Sequence, residues 1–365
     1  MPEMRIKVPG TPETQYEIVI GSNILPSAWA QIKAAHARFN RFVVTDEHVV
    51  AAGHLATLLG GRPAPTFVIK PAGEVSKTID TVVAIVEAME KAYLGRDTVV
   101  IALGGGTVGD IAGFAASIFK RGVPVVQIPT TSLAQADSAI GGKTGVDSSI
   151  SKNAFGAFWH PAAVYVDVAL LKTLDDRQYR SGLVESIKHG LIADAGYFEF
   201  IEGHLDEILA RDADTLQMLA RYNCRIKGSV VEEDPFEKNK RRILNYGHTV
   251  GHAVEAASDY EMLHGEAVAV GIVAAGLIEI ELGLSKPDRL DRIRTVFEKL
   301  GIPTRIPTSM AQDKLLDLMR HDKKAVDQWP RFVLLDQIGQ VHCEGGQYAV
   351  QVNREVVVNV LKELR

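Results

Sequence analysis

The feature of this sequence that most limits its fold is an alternation of short β-branched runs with amphipathic segments through the first half of the chain. Six runs have the length and composition of strands: 16–20, 41–46, 64–69, 97–103, 123–129 and 163–168. Between two of them, residues 76–94 repeat apolar side chains at helical spacing. Alternation of this kind predicts a parallel sheet with helices packed on it, which is a Rossmann-like architecture.

The second half of the sequence differs in pattern, beginning at about Leu171. Apolar residues recur at helical spacing over four long segments: 197–222, 244–258, 265–283 and 288–300. One more strand candidate follows at 331–335. We therefore predict an α/β protein, with an N-terminal Rossmann-like parallel-sheet domain at 1–170 and a mostly α-helical C-terminal domain at 171–365. A cleft where two such domains meet is the default place for a ligand.

The composition excludes several classes of protein. With 365 residues, 46% of them hydrophobic, and a formal net charge of −5, the chain does not have the profile of a general nucleic-acid or membrane-surface binder. Its longest apolar run, 267–278, is shorter than the ~20 residues that span a bilayer, and its N-terminus lacks the pattern of a signal peptide. Cys224 and Cys343 stand far apart, so we expect no disulfide framework and a reduced, cytoplasmic compartment.

A glycine-rich turn, Gly104-Gly105-Gly106-Thr107-Val108-Gly109-Asp110, follows a strand candidate and precedes a helix candidate. Such a turn lets the backbone approach a pyrophosphate at a helix N-terminus, although glycines also occur there for steric reasons alone. The turns at 71–77 and 129–131 follow neighbouring strands and could line the same site. Asp46 ends the second strand, where its carboxylate could accept from a ribose hydroxyl or cap the next helix.

Three of the 11 histidines fall close together. His248 and His252 are four residues apart and share one face of a helix, and His264 follows at the start of another helix. Histidines with a carboxylate and an open position suit a catalytic Zn²⁺ or Co²⁺. Glu185 offers the carboxylate, and its partner Lys188 lies at i+3 among apolar neighbours, which disfavours an exposed ion pair.

Basic residues are collected in a loop that holds Lys143, Lys152 and Asn153. Arg121, Lys227, Arg241 and the pair Lys323-Lys324 lie elsewhere in the sequence. Most such residues are solvated surface charges, but Lys, Asn and Gly between apolar segments suit a small polyanion. Together with a metal and a nucleotide loop, they indicate oxidoreduction-type chemistry on a phosphorylated or carboxylated polyol.

These motifs resemble those of one known family, the 3-dehydroquinate synthases of the sugar phosphate cyclase superfamily. The blocks that carry the resemblance are 104–116, 129–146, 152–158, 182–190, 244–255, 263–271 and 322–324, within a span from about Asp46 to Ile338. This sequence departs from the family's pattern at Ser151, Pro235 and Asn239. The resemblance implies an N-terminal Rossmann-like domain, a helical C-terminal domain and a homodimer in which Arg121 reaches the neighbouring subunit's site.

The resemblance also implies a role for individual residues. It implies metal ligation by Glu185, His248 and His264, so that His252 contacts the substrate or lies behind the ligands. The positions that match the family's NAD site are Asp46, Glu74, Lys77, Gly105, Gly106, Thr107, Val108, Gly109, Asp110, Thr130, Thr131, Lys143 and Lys152. The positions that match its substrate site are Arg121, Asp137, Lys143, Lys152, Asn153, Lys188, Lys227, Arg241, Asn245, His252 and Lys324.

The implied reaction is the conversion of 3-deoxy-D-arabino-heptulosonate 7-phosphate into 3-dehydroquinate and phosphate, at the start of the shikimate pathway. It would use NAD, regenerated at each turnover, and Zn²⁺ or Co²⁺. Three alternatives stay open at this point: a secondary-metabolism cyclase of sedoheptulose 7-phosphate or glucose 6-phosphate, a metal-dependent polyol dehydrogenase, and a non-catalytic sensor derived from the enzyme.

Overall fold

The first half of the chain forms one six-stranded parallel sheet in the computed structural model, which describes residues 14–259, 261–320 and 329–365. The strands of this half are β1 (Glu17–Gly21), β2 (Asn40–Asp46), β3 (Thr66–Ile69), β4 (Thr98–Gly104), β5 (Val125–Pro129), β6 (Lys143–Val146), β7 (Phe155–Phe158) and β8 (Ala163–Asp167). The sheet has the order β1-β8-β5-β4-β2-β3, while β6 and β7 form a separate antiparallel hairpin. The predicted parallel sheet is confirmed.

The order of the strands reverses between β2 and β4. The chain passes from β2 outward to β3 and then returns to place β4 on the other side of β2. In open α/β sheets ligands bind beyond the carboxyl ends of the strands at such a reversal. Asp46 and Gly104 end the two strands concerned, so the glycine-rich turn lies at the favoured edge of the sheet.

Strand β4 is buried on both faces, as expected for the centre of a parallel sheet. Val100 and Ala102 pack into one hydrophobic cluster, while Val99, Ile101 and Leu103 pack into the cluster on the other face. The helices that cover the faces are α1 (Leu25–Ala35), α2 (Glu47–Ala51), α3 (His54–Leu59), α4 (Ile79–Lys91) and α5 (Gly106–Ile118).

The second half of the chain is mostly helical, as predicted. Its helices are α6 (Asp176–Ala193), α7 (Ala195–Gly203), α8 (Leu205–Leu209), α9 (Ala213–Glu233), α10 (His248–Ala257), α11 (His264–Glu281), α12 (Pro287–Lys299), α13 (Gln312–Arg320) and α14 (Arg354–Glu363). Four short strands accompany them: β9 (Arg331–Phe332), β10 (Leu335–Gln337), β11 (Gln340–Val341) and β12 (Val350–Gln351). Within the described ranges, no helix is both long enough and apolar enough to cross a bilayer.

Helix α11 lies at the centre of this half and packs against α6 and α10. Glycines allow these contacts to be very close. A Cβ at Gly265 would overlap the backbone oxygen of Ser181 in α6, and one at Gly271 would overlap the backbone oxygen of Gly247 just before α10. The three helices carry Glu185, His248 and His264, so their close packing sets the spacing of these side chains.

The structure differs from the sequence predictions at three places. The helical segment predicted at 197–222 is divided among α7, α8 and α9, because α7 ends at Gly203 and Asp212 caps a new helix start by accepting from the Thr215 N–H. The strand predicted at 331–335 is two short strands. Lys143, predicted in a loop, begins strand β6, and Lys152 and Asn153 lie in the turn that follows it.

Candidate active site

A carboxylate and two imidazoles converge at the ends of three helices. The Nε2 atoms of His248 and His264 lie 3.7 Å and 3.6 Å from Oε1 of Glu185. This oxygen is buried and has no hydrogen-bond partner among the described residues. Tetrahedral ligands about 2.0–2.2 Å from a zinc ion lie about 3.3–3.5 Å from one another, so the three atoms are spaced to hold such an ion.

The remaining polar atoms of this metal set, Glu185, His248 and His264, are held by neighbours. Nδ1 of His248 contacts the backbone oxygen of Tyr246 at 3.0 Å, and Nδ1 of His264 contacts Oε2 of Glu255 at 3.3 Å. In each case a proton on Nδ1 leaves the Nε2 lone pair facing Glu185. The Lys188 ammonium donates to the other oxygen of Glu185, and both side chains are only 1% exposed, so the predicted burial of this pair is confirmed.

The protonation states of Glu185 and His248 suit metal ligands, while His264 has a proton to lose. Burial would raise the pKa of Glu185, but the Lys188 ammonium and His264 outweigh burial and keep that pKa below its ordinary value. Burial, reinforced by Lys188, holds the pKa of His248 well below its ordinary value, so this imidazole is neutral. Burial lowers the pKa of His264, yet the nearby carboxylates of Glu185 and Glu255 prevail and raise that pKa to about 9. His264 would therefore have to give up one proton in order to hold a metal ion.

Two overlapping sets of side chains are also close enough to hold an ion: His252, Glu255 and His264, and Asp137, Glu185 and His189. In the first, Lys152 and His264 already take the two oxygens of Glu255, at 3.0 Å and 3.3 Å. In the second, Nζ of Lys227 lies 2.9 Å from Oδ1 of Asp137 and supplies the positive charge itself. In the set of Glu185, His248 and His264, by contrast, the imidazoles face Oε1 of Glu185, while Lys188 bonds the other oxygen.

Asp137 and Lys227 form a buried pair beside the metal set. The Lys227 ammonium is 2.9 Å from Asp137 Oδ1 and also donates to the Asp137 backbone oxygen. Burial raises the pKa of Asp137, but Lys227 and Lys188 outweigh it and hold that pKa well below its ordinary value. His189, which is fully buried, lies behind Asp137 with Nε2 at 3.7 Å. This pair therefore places an ionised carboxylate within 4.8 Å of a Glu185 oxygen.

Glu237 joins two of the predicted substrate residues, although the sequence did not single it out. It accepts from Nζ of Lys143 at 2.6 Å and from Nδ2 of Asn245 at 2.8 Å. Its φ of 56° is in the left-handed region, which is uncommon for a residue other than glycine and marks a specific backbone requirement. The sequence offered no signal for it, because it is one acidic residue in a charged stretch.

The other predicted substrate residues have varied positions. Arg241 is buried, and its guanidinium donates to the backbone oxygens of Pro235 and Gly141 at 2.7 Å and 2.9 Å. The His252 ring lies 5.1 Å from the His248 ring. Asn153 is exposed, with a φ of 50°. Arg121 is exposed and, among the described residues, forms no ion pair with the rest of this group. Lys324 lies outside the described residues.

The glycine-rich turn forms a cradle at the N-terminus of α5. Gly105 is the N-cap and supplies no side-chain cap, so the first N–H groups of this 13-residue helix are available to an anion. A Cβ at Gly105 would lie 2.9 Å from Thr131 Cγ2, and one at Gly106 would lie 3.0 Å from Ser138 Oγ. The turn therefore needs glycine for close approach. Val108 is buried beneath it, and a Cβ at Gly109 would meet Gln127 Oε1 at 2.8 Å.

Charged residues surround this cradle. Lys77 is buried and bonds Asp110 at 2.8 Å, with Glu74 at 3.9 Å. Burial lowers the pKa of Lys77, but Asp110 and Glu74 outweigh burial and raise it above its ordinary value. Glu74 accepts from the Thr107 hydroxyl at 3.1 Å. Thr130 is buried, and the Thr131 hydroxyl accepts from the Ala134 N–H at 3.2 Å.

Asp46 caps helix α2 by accepting from the Val49 N–H at 2.9 Å, so the capping interpretation of this residue is confirmed. Only one of its oxygens takes part in that bond. The carboxylate still ends β2 at the reversal of strand order, so the bond does not exclude a second role there.

Lys152 connects the cradle to the metal set. Its ammonium lies 3.2 Å from Oε1 of Glu74 and 3.0 Å from Oε1 of Glu255. Burial lowers the pKa of Lys152, but Glu255 and Glu74 prevail and raise it. One run of charged contacts thus leads from Asp110 and Lys77 to His264, and the two halves of the chain share a single candidate site.

Solved structures with this architecture include two cyclases. The chain matches a 2-deoxy-scyllo-inosose synthase, solved as a complex with carbaglucose-6-phosphate, NAD⁺ and Co²⁺, with a TM-score of 0.87 and 28% identity over 96% of this chain and 97% of that one. It matches ValA, a 2-epi-5-epi-valiolone synthase from Streptomyces hygroscopicus subsp. jinggangensis 5008 with NAD⁺ and Zn²⁺ bound, with a TM-score of 0.87 and 29% identity over 98% and 99% of the two chains.

Relatives by sequence are more similar. The chain is 44% identical over 338 residues to the 3-dehydroquinate synthase of Acidithiobacillus ferrooxidans, covering 91% of this chain and 92% of that protein. It is 44% identical over 306 residues to the 3-dehydroquinate synthase of Ruminiclostridium cellulolyticum, covering 84% and 83%. Residues 67–181 match the family model 3-dehydroquinate synthase N-terminal, and residues 182–325 match 3-dehydroquinate synthase C-terminal. The chain belongs to the 3-dehydroquinate synthase family.

Proposed function

We propose that this chain is a 3-dehydroquinate synthase, a carbon–oxygen lyase that converts 3-deoxy-D-arabino-heptulosonate 7-phosphate into 3-dehydroquinate and phosphate. The observation that carries the proposal is that a metal set, a dinucleotide cradle and buried cations share one site, joined by Lys152. Relatives that are 44% identical over most of their length bear this name. Substrate and products balance without an added oxidant, reductant or water, so the site has to return whatever hydride it removes.

The metal would be held by Glu185, His248 and His264, and NAD would be held by the cradle at α5. The two solved cyclases carry NAD⁺ with Co²⁺ or Zn²⁺. When bound, the metal would acidify a substrate hydroxyl, and NAD would accept a hydride from the carbon that bears this hydroxyl and later return it. In this proposal Lys188 keeps Glu185 ionised, and the partners of both Nδ1 atoms keep the imidazoles directed at the ion.

The residues of the proposed NAD site suit different parts of the dinucleotide. The free N–H groups at the start of α5 suit the pyrophosphate, and Asp46, at the end of β2, suits a ribose hydroxyl. Lys77 holds Asp110 and Glu74 in place at the rim of the cradle. The remaining positions of the proposed NAD site are Thr107, Val108, Gly109, Thr130, Thr131, Lys143 and Lys152.

The substrate carries a phosphate and a carboxylate, so its site has to bind two anions. We propose that the phosphate is bound by Lys152, Asn153, Arg241 and His252. The carboxylate would be bound by Lys143, Lys227 and Lys324. Asp137, held ionised by Lys227, can accept a hydrogen bond from a substrate hydroxyl. In this structure Glu237 accepts hydrogen bonds from Lys143 and Asn245, so we propose that it gives up one of these bonds when substrate enters.

We also propose a homodimer in a cytoplasmic setting, with Arg121 completing the site of the neighbouring subunit. Exposure of Arg121 at the end of a turn, with a φ of 72°, is compatible with a role outside its own chain. The division into domains at about residue 170 stays part of the proposal, supported by the end of β8 at Asp167 and the start of α6 at Asp176.

Phosphate release tests the proposed function directly. Purified protein with NAD and Zn²⁺ or Co²⁺ should release one phosphate from the heptulosonate phosphate for each ring formed, without accumulating NADH. A chelator should abolish release, and added metal should restore it. Stoichiometric NADH would indicate a polyol dehydrogenase instead, and full turnover by metal-free protein would contradict the proposed site.

A further inference from the structure

We propose that Glu255 is a positioning residue that holds the metal ligand His264 with one carboxylate oxygen and Lys152 with the other. The inference deepens the proposed function, because it concerns the same site and rests on His264 being a ligand. In this proposal Glu255 sets the distance between the metal and the Lys152 ammonium, which faces the substrate.

The position of Glu255 on its helix makes this possible. His248, His252 and Glu255 stand at i, i+4 and i+7 in α10, so all three side chains project from one face toward the start of α11. Close packing of α10 on α11 brings this face to His264. Glu255 is 6% exposed, so its carboxylate depends on protein partners for hydrogen bonds.

On the metal side, Oε2 of Glu255 lies 3.3 Å from Nδ1 of His264. A proton on Nδ1 satisfies this contact and leaves the Nε2 lone pair 3.6 Å from Oε1 of Glu185, where the ion would lie. Carboxylates that accept from a metal-bound imidazole fix both its tautomer and its ring orientation, and their loss typically weakens metal binding ten- to a hundredfold.

On the other side, Oε1 of Glu255 lies 3.0 Å from Nζ of Lys152. Lys152 comes from the turn between β6 and β7 in the first half of the chain, and Glu74 of that half is a further partner, at 3.2 Å. Glu255 is therefore a contact through which the helical half fixes the Lys152 ammonium. Without it, the attraction of Glu74 draws the ammonium toward the dinucleotide cradle.

A metal-binding measurement separates this role from ligation and from general stability. We would compare Glu255→Gln, Glu255→Asp and Glu185→Gln with the unaltered protein by competition of Zn²⁺ with a chromophoric chelator. The matched control is Asp167→Asn, which removes a carboxylate that is also buried and whose oxygens, among the described residues, accept from the backbone N–H groups of Asn23, Leu25 and Ala169 in the sheet half.

We expect Glu255→Gln to bind one zinc per chain about 10- to 100-fold more weakly and Glu255→Asp to recover part of the loss. Asp167→Asn should lower the melting temperature without changing zinc affinity. Unchanged affinity in Glu255→Gln would overturn the proposal, and so would a loss as complete as that of Glu185→Gln, which would make Glu255 a ligand. No substrate is used, so these results stand even if the proposed reaction fails.

The Lys152 contact is tested at saturating zinc with the heptulosonate phosphate. Glu255→Gln and Lys152→Met should each raise KM, and the double variant should raise it no further than Lys152→Met alone, because both changes remove the same placement of the ammonium. Independent, multiplicative effects on KM would contradict this half of the proposal.

Discussion

At the scale of single residues, Glu185 and His264 make the clearest prediction about the metal. Glu185→Gln and His264→Ala should lower bound metal and turnover together, because each removes one of three ligand atoms spaced for one ion. Metal per chain, measured by elemental analysis after gel filtration, and phosphate release give the two readouts. His342→Ala is the control, since this histidine pairs with Asp336 far along the chain. A His264→Ala protein with full metal and turnover would exclude His264 as a ligand.

The buried carboxyl group of Glu279 should make the stability of the folded protein depend on pH. Burial raises its pKa to about 7 from an ordinary 4.5, although Arg289 and the Leu335 N–H pull in the other direction. Because the folded state binds this proton more tightly, the stability it contributes is fully present below about pH 4.5 and is lost as the pH rises through about 7. The loss amounts to roughly 3 kcal/mol.

Glu279→Gln should therefore lose less stability than the unaltered protein between about pH 5 and pH 8, as measured by urea unfolding. Glu281→Gln, two residues further along α11 and exposed, is the matched control and should follow the unaltered protein. Parallel stability curves for Glu279→Gln and the unaltered protein would show that Glu279 does not titrate in this range.

Sequence patterns identified residues by type and spacing, but could not give their contacts. The i, i+4 pair of histidines on a helix and the buried Glu185–Lys188 pair are confirmed by the structure. Glu237 and Glu255 escaped notice, because a carboxylate that holds another side chain has no spacing of its own in the sequence. Their partners lie 94 and 103 residues away along the chain, at Lys143 and Lys152.

At the scale of elements, the close packing of α11 predicts a strong effect of one methyl group. Gly271→Ala would force a Cβ onto the Gly247 backbone oxygen, so α10 and α11 must separate and move His248 away from His264. We expect a loss of at least about 2–3 kcal/mol in unfolding free energy, together with weaker metal binding.

Gly228→Ala supplies the comparison for Gly271→Ala. Gly228 lies inside α9, and no heavy atom lies within 4 Å of the place that an alanine methyl group would take. Alanine there should therefore stabilise the protein by about 0.5–1 kcal/mol and leave metal binding unchanged. Equal stability of the two variants in urea unfolding would show that the α10–α11 contact is looser than described.

Elements with a strong period were predictable, and those shaped by close contacts were not. The run at 97–103 is buried on both faces as β4, within one residue of its predicted bounds. The β6–β7 hairpin was missed, because Gly145 and Gly156 weaken its strand pattern. Each of these glycines is needed, since a Cβ on either would overlap the opposite strand's backbone.

At the scale of the whole molecule, the proposed homodimer makes Arg121 a test of shared sites. Arg121→Ala and His264→Ala subunits should each be nearly inactive alone, and mixing them should restore activity, because one site in each hybrid keeps both residues. Subunit exchange is followed by mass spectrometry of differently tagged chains, with each variant mixed with itself as the control. No recovery in confirmed hybrids would place the action of Arg121 within its own chain.

The central claim is that this site acts on the heptulosonate phosphate, and its carboxylate offers the most direct test. Sedoheptulose 7-phosphate lacks that carboxylate, so it would forgo the charge-assisted contacts proposed with Lys143, Lys227 and Lys324, at a cost of a few kcal/mol. The measurement is kcat/KM for the two sugar phosphates side by side, followed as phosphate release with NAD and metal present. We predict a preference on the order of a hundredfold or more for the heptulosonate phosphate. Equal or faster turnover of sedoheptulose 7-phosphate would contradict the account and assign the chain the activity of a secondary-metabolism cyclase.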